Sequence, residues 1–121
     1  MSDADRCEIP CYNPQLVDRL KERMLPEDTL QRLAGVFGLL ADRTRLKIIG
    51  ALADGEELCV CDVSHVVGLS LSATSHQLRR LREAGVVSYR NDGRMVYYRL
   101  ADGFLAGLIL QAKVKVEREV A

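Results

Sequence analysis

Tryptophan is missing from this chain, and four Tyr and two Phe are its only aromatic residues. A core with so few rings has to be aliphatic. Histidine is scarce too, at two residues. No phosphate-cradling glycine loop, paired catalytic carboxylates or nucleophile elbow is present, so no enzyme is expected. Ser75 and His76 are adjacent, but neighbours on a helix point apart and no orienting acid accompanies them. No run approaches the ~18 apolar residues of a membrane span, and no membrane partner is expected. The opening residues, Met1-Ser2-Asp3-Ala4-Asp5-Arg6, are polar, with no apolar run after them. No secretory signal is therefore expected, and the chain reads as cytoplasmic.

Net charge is lacking as well: the formal total is zero. Its distribution is uneven. Residues 70–99 hold six arginines (Arg79, Arg80, Arg82, Arg90, Arg94 and Arg99) against the two acids Glu83 and Asp92. The N-terminal stretch is acidic, with Asp3, Asp5, Glu8, Asp18, Glu22, Glu27 and Asp28. A neutral sum hides a basic segment, and dimerisation would double its charge. At 121 residues the chain has room for one compact domain. A domain of this size buries a limited share of its surface, and self-association is a natural supplement.

What is present begins with helix signals. Residues 1–12 show no helical period and read as an arm; residues 13–121 form the folded domain. Asn13-Pro14 is a cap followed by proline at the first helical position. Leu16, Val17, Leu20 and Met24 follow at helical spacing, and Pro26 ends that helix. A second helix covers 27–41. Asp42 caps a third, whose stripe is Leu46, Ile49, Leu52 and Ala53, and Asp54-Gly55 stops it. A short helix over 61–67, the turn Gly68-Leu69-Ser70, and a helix to about residue 84 have the shape of a helix-turn-helix. Leu71, Thr74, Leu78 and Leu81 share one face of its second helix. Residues 86–90 and 95–100 are rich in β-branched and aromatic residues and flank Asn91-Asp92-Gly93, so a β-hairpin follows, as a wing. A last helix starts near Asp102. The expected class is mainly α with a small β-hairpin (α+β): a winged helix-turn-helix.

In such a unit the second helix enters the major groove and its first turns reach base edges. Ser72, Thr74, Ser75, His76 and Gln77 occupy that position. Their short or amide side chains suit edge reading: Gln bonds adenine, and Ser or Thr bond several bases. Arg79, Arg80 and Arg82 follow where phosphates would lie. Arg90 and Arg94 flank the wing turn, where backbone or minor groove is near. The expected partner is double-stranded DNA.

The four cysteines fall in two pairs, Cys7/Cys11 and Cys59/Cys61. In a reducing compartment, pairs in polar sequence favour metal or redox chemistry over structural disulfides. Cys59 and Cys61 point apart on a helix but to one side of an extended chain, so the pair straddles a helix start. The helix dipole there favours thiolate. Glu56, Glu57 and Asp62 oppose that effect, yet they attract a cation. Pro10 disfavours a helix joining Cys7 to Cys11, and a loop wrapping an ion fits better. Thiolates suit Cd(II), Pb(II), Zn(II) and Bi(III). His65, one turn beyond Cys61, is a weaker ligand candidate. A thiol redox switch and a structural zinc site are the alternatives on the same scaffold; a metal buffer would need neither wing nor arginines. No small organic ligand is expected.

Three segments carry a resemblance. Glu57-Leu58-Cys59-Val60-Cys61-Asp62 resembles the metal box of the ArsR/SmtB family of winged-helix repressors. Ser75-His76-Gln77-Leu78-Arg79 and Gly93-Arg94-Met95-Val96-Tyr97-Tyr98 resemble that family's recognition helix and wing. Cys7-Glu8-Ile9-Pro10-Cys11-Tyr12 is similar to the arm of its cadmium- and lead-responsive members. The resemblance implies a homodimer built on the first and last helices. It implies an operator bound without metal and released with it. It also implies a site joining Cys59 and Cys61 of one subunit to Cys7 and Cys11 of the other. Many members carry a second site on the last helix; here Asp102 matches its first ligand, but Phe104, Lys115 and Arg118 replace the rest.

Overall fold

A computed structural model describes residues 6–54 and 57–120. Gly55 and Glu56, a helix stop and an acid neighbour of the thiols in the sequence reading, lie outside the described residues, as do Asp3 and Asp5. Two compact units emerge, Met1–Ala34 and Gly35–Ala121. Their boundary falls inside a helix.

In the first unit, α1 spans Pro14–Glu22. The Asn13 side chain accepts the Leu16 N–H at 3.1 Å, which satisfies one of the amides a helix start leaves unpaired. The helix stops at Arg23, three residues short of Pro26. It buries none of its residues, and Leu16, Leu20 and Met24 stay exposed. Helix α2, Glu27–Leu40, crosses the boundary between the units.

The second unit holds α3 (Arg43–Ala53), β1 (Leu58–Cys59), α4 (Val60–Val67), α5 (Leu71–Glu83), β2 (Val87–Asp92), β3 (Met95–Leu100) and α6 (Gly103–Val120). Asp42 caps α3 by accepting the Arg45 N–H at 2.9 Å. The α3 stripe is turned slightly from the expected one. Ile48, Ile49, Leu52 and Ala53 are buried, whereas Leu46 is exposed. Helices α4 and α5 meet at Gly68, whose φ of 73° is left-handed backbone that glycine adopts without strain. The Ser64 hydroxyl donates to the Leu69 carbonyl at 2.7 Å and pins that turn. Ser70 then caps α5 through the Ala73 N–H at 3.1 Å.

The sheet has three antiparallel strands in the order β1-β3-β2, one more than the expected hairpin. Leu58 pairs with Tyr98 and Cys59 with Tyr97; across the hairpin, Tyr89 pairs with Tyr98 and Arg90 with Tyr97. Strand β2 runs to Asp92, so the tight turn is Gly93-Arg94, with Gly93 at φ 61°. The core of this unit joins Leu40, Ile48, Ile49, Leu52, Val63, Val67, Leu78, Leu81, Val86, Val87, Tyr98 and Leu105. It is aliphatic but for one tyrosine. Each such side chain contributes about 1.5–3 kcal/mol by leaving water, so the helix-turn-helix and wing are held as one body. Helix α6 buries Leu105 and leaves Phe104, Leu110, Val114 and Val116 exposed. No helix among the described residues is long and apolar enough to cross a membrane.

Candidate nucleic-acid interface and thiol site

Helix α5 has one buried face and one exposed face. Thr74, Leu78 and Leu81 are buried. Ser72, Ser75, His76 and Arg79 line one open groove of about 560 Å³, with Leu71 of the buried stripe exposed at its edge. The spacing of these residues, one and four apart, is that of a single helix face. Ser72, His76, Arg79 and Arg80 are exposed; Ser75 and Gln77 are half-buried.

Thr74 stands apart from the other expected base readers. It is fully buried, and its hydroxyl donates to the Ser70 carbonyl at 2.8 Å. It belongs to the core face of α5. Gln77 also has a protein partner. Its Oε1 accepts from Arg45 Nη1 at 3.4 Å, while Arg45 Nε donates to the Leu39 carbonyl at 2.5 Å. Arg45 therefore orients Gln77 from α3, a role that a separation of 32 residues hides from sequence reading.

On the wing, Arg94 sits in the turn itself and is exposed. Arg90 is engaged elsewhere. Its Nε donates to Glu57 Oε1 at 2.8 Å, Nη1 lies 3.7 Å from Asp92 Oδ2, and the guanidinium stands 4.7 Å from the centre of the Tyr97 ring. The Glu57 hydrogen bond holds the guanidinium above its ordinary pKa; slight desolvation opposes this, and the charges of Glu57 and Asp92 add to it. Arg82 covers the Tyr89 ring at 4.8 Å.

All four cysteines are free thiols. Cys59 ends β1 in extended backbone (φ −75°, ψ 164°) and is the N-cap of α4, where its sulfur accepts the Asp62 N–H at 3.5 Å. It is buried, whereas Cys61, one residue into the helix, is exposed. The straddling arrangement expected from the spacing is thus what this segment adopts, one residue earlier than anticipated. Both thiols border a cleft of about 180 Å³ that is also lined by Leu71, Ser75, Arg94 and Met95. The cleft thus lies between the start of α4, the start of α5 and the wing turn.

Cys7 and Cys11 are exposed. The Cys11 thiol is raised above its ordinary value, chiefly by a hydrogen bond with Cys7 and secondarily by slight desolvation. The two pairs belong to different compact units. Among the described residues, no three His, Cys, Asp or Glu side chains are gathered in a metal-binding group. His65 is exposed on α4.

The last helix does not fit a metal. Asp102 Oδ1 accepts the Phe104 N–H at 3.0 Å, and Phe104 offers a hydrocarbon where a ligand would stand. Lys115 pairs with Glu119 at 2.6 Å, and both line, with Arg118, an open groove near the far end of the helix.

Comparison with known proteins decides what this assembly is. The family model described as "Bacterial regulatory protein, arsR family" matches residues 42–89, from the α3 cap to the first strand of the wing. The cadmium resistance transcriptional regulatory protein CadC of Listeria innocua is 42% identical over 92 residues, covering 76% of each chain. The chain belongs to the ArsR family. A CadC homolog of Staphylococcus aureus is 38% identical over 117 residues, covering 97% of this chain and 95% of that one. Among solved structures, the homodimeric winged helix-turn-helix DNA-binding domain of a possible ArsR-family regulator from Mycobacterium bovis superposes with a TM-score of 0.70. It is 30% identical and covers 77% of this chain and 85% of its own. ArsR-family proteins are DNA-binding transcriptional regulators, not enzymes, and the winged helix-turn-helix seen here is their fold.

Proposed function

We propose that this chain is a homodimeric repressor that binds operator DNA without metal and releases it when a soft heavy-metal ion binds its thiolates. The supporting observation is the shared cleft: Cys59 and Cys61 open onto the same space as Ser75 of the recognition helix and Arg94 of the wing. Relatives named for cadmium resistance, similar over most of the chain, point to the same class of inducer.

DNA would meet Ser72, Ser75, His76 and Gln77 at base edges, and Arg79, Arg80 and Arg94 at phosphates. Apolar residues left exposed on α1 and α6 are the material for a subunit interface. A dimer would present two reading helices one DNA turn apart.

Donor chemistry fits a soft ion, because the four free thiols form two pairs, and Cys7, Cys11 and Cys61 are open to solvent. Cys59 and Cys61 of one subunit, with Cys7 and Cys11 of the partner subunit, would hold Cd(II), Pb(II), Zn(II) or Bi(III). The ion supplies strong bonds to thiolates that a proton otherwise occupies. Cys59 transmits the event, since it is both the cap of α4 and a paired residue of the wing sheet. Only a difference in ion affinity between the DNA-competent and DNA-incompetent states can drive release. Coupling of about 1–3 kcal/mol would be ordinary.

The test is operator binding by fluorescence anisotropy, with fully reduced protein. Apo protein should bind, one equivalent of Cd(II) per subunit should release it, and a chelator should restore binding. Release by a disulfide-forming oxidant, with Cd(II) inert, would replace this reading by a redox switch. Unfolding on chelation would replace it by a structural zinc site.

A further inference from the structure

Arg90 differs from the arginines of α5 in being surrounded. Glu57 accepts from its Nε, Asp92 lies beside its Nη1, and Tyr97 lies under its plane. Two carboxylates face one guanidinium, so the locality carries a net negative charge. A phosphate approaching Arg90 would meet Glu57 and Asp92 as well, and like charges repel.

The same residues span the sheet. Glu57 immediately precedes β1, Tyr97 is on the central strand β3, and Arg90 is on β2. Tyr97 pairs with Cys59 on one side and with Arg90 on the other. The ion pair therefore passes over the central strand and ties the far strand of the wing to the segment that carries Cys59. As an exposed pair, at 52% and 31% side-chain exposure, it adds little to stability. What it fixes is position. The planar fork of arginine holds the carboxylate and the ring at once, which a flexible ammonium does not.

We propose that the Glu57–Arg90 pair is a strap that couples the thiol pair to the wing, and that Arg90 is a positioning residue rather than a DNA contact. The coupling half of this rests on the metal-release reading above; the exclusion of Arg90 from the DNA contacts does not. When Cys59 is drawn toward an ion, β1 shifts and the strap carries the shift to β2. Apart from the strap, the segment carrying Cys59 is hydrogen-bonded to the hairpin through a two-residue pairing of β1 with β3.

The experiment uses the full chain as Glu57→Gln, Arg90→Gln and the double variant. Three readouts are taken: Cd(II)–thiolate absorption, operator affinity without ion across a salt series, and the factor by which Cd(II) weakens operator binding. Ion stoichiometry should be unchanged in all three variants, and Arg90→Gln should keep the wild-type salt slope. The release factor should fall by roughly two- to thirtyfold. The double variant should lose no more than either single one, because both cut the same strap. Arg90→Lys, which keeps the charge but not the fork, should behave as Arg90→Gln does.

A loss of about one unit of salt slope per subunit in Arg90→Gln, with tighter operator binding in Glu57→Gln, would make Arg90 a phosphate contact and overturn the proposal. An unchanged release factor, or additive losses, would overturn it as well. Absence of a Cd(II) band or of release in the wild type would instead defeat the metal reading, and the salt slope would still decide the place of Arg90.

Discussion

Replacing Cys59 by serine separates the two roles this residue holds. Its sulfur caps α4 by accepting the Asp62 N–H at 3.5 Å, and sulfur is a weak acceptor. A serine hydroxyl at the same position is among the best N-caps, worth ~1 kcal/mol over alanine. Against that stands the lost burial of the sulfur of a residue that is 6% exposed, a cost on the order of 1 kcal/mol. Cys59→Ser should therefore lie within about 1 kcal/mol of wild type, whereas Cys59→Ala should lose about 1 kcal/mol more by forfeiting the cap. For a domain of this size that gap is about 3–6 °C in melting temperature. Both variants lack the thiolate. Thermal melts and operator anisotropy with and without Cd(II) make the assay. Both should bind operator as apo proteins and fail to release it on adding the ion, with the serine variant melting higher. Loss of apo operator binding in Cys59→Ser, or release by Cd(II) at wild-type concentrations, would refute the reasoning.

Three further outcomes follow from the geometry. Thr74→Val should leave operator affinity within about twofold, because Thr74 faces the core, while a residue reading a base would cost about 1–3 kcal/mol; anisotropy across operator variants decides. Arg79→Gln and Arg80→Gln should each weaken binding evenly across sequences and flatten the salt dependence by about one unit per lost contact, measured from 50 to 200 mM salt (roughly the usual working range). Ion affinity should rise with pH. The Cys11 thiol keeps its proton to higher pH than an ordinary thiol, because Cys7 hydrogen-bonds it. Its proton must therefore be displaced by the ion at neutrality, and a competition titration between about pH 6 and 8 should gain affinity by up to tenfold per unit for each thiol proton released. A flat profile would contradict thiolate ligation.

Much of the fold was legible because caps and breakers are local. Asn13-Pro14 and Asp42 start the helices they cap, and Gly68-Leu69-Ser70 makes the turn, with Gly68 ending α4 and Ser70 capping α5. The wing turn was legible through Gly93, although β2 runs on to Asp92 and moves the turn toward Arg94. Strand β1 was not, since two residues are too few to show alternation. Thr74 shows a limit of another kind. It was placed on the apolar face of α5 and among the base readers at once, and only burial separates those roles. The partners Glu57 for Arg90 and Arg45 for Gln77 lie 33 and 32 residues away, where no local pattern reaches. The thiol pair was legible as chemistry; its cleft against Ser75 and Arg94 required the tertiary fold.

The central claim is that ion capture by the thiolates and loss of operator are one event. It is tested most directly by titrating Cd(II) into the fully reduced protein bound to labelled operator, recording thiolate-to-metal absorption and anisotropy on the same sample. The account predicts that both signals move together and break at one ion per subunit. Absorption that saturates while the operator stays bound, or release without any thiolate band, would contradict it.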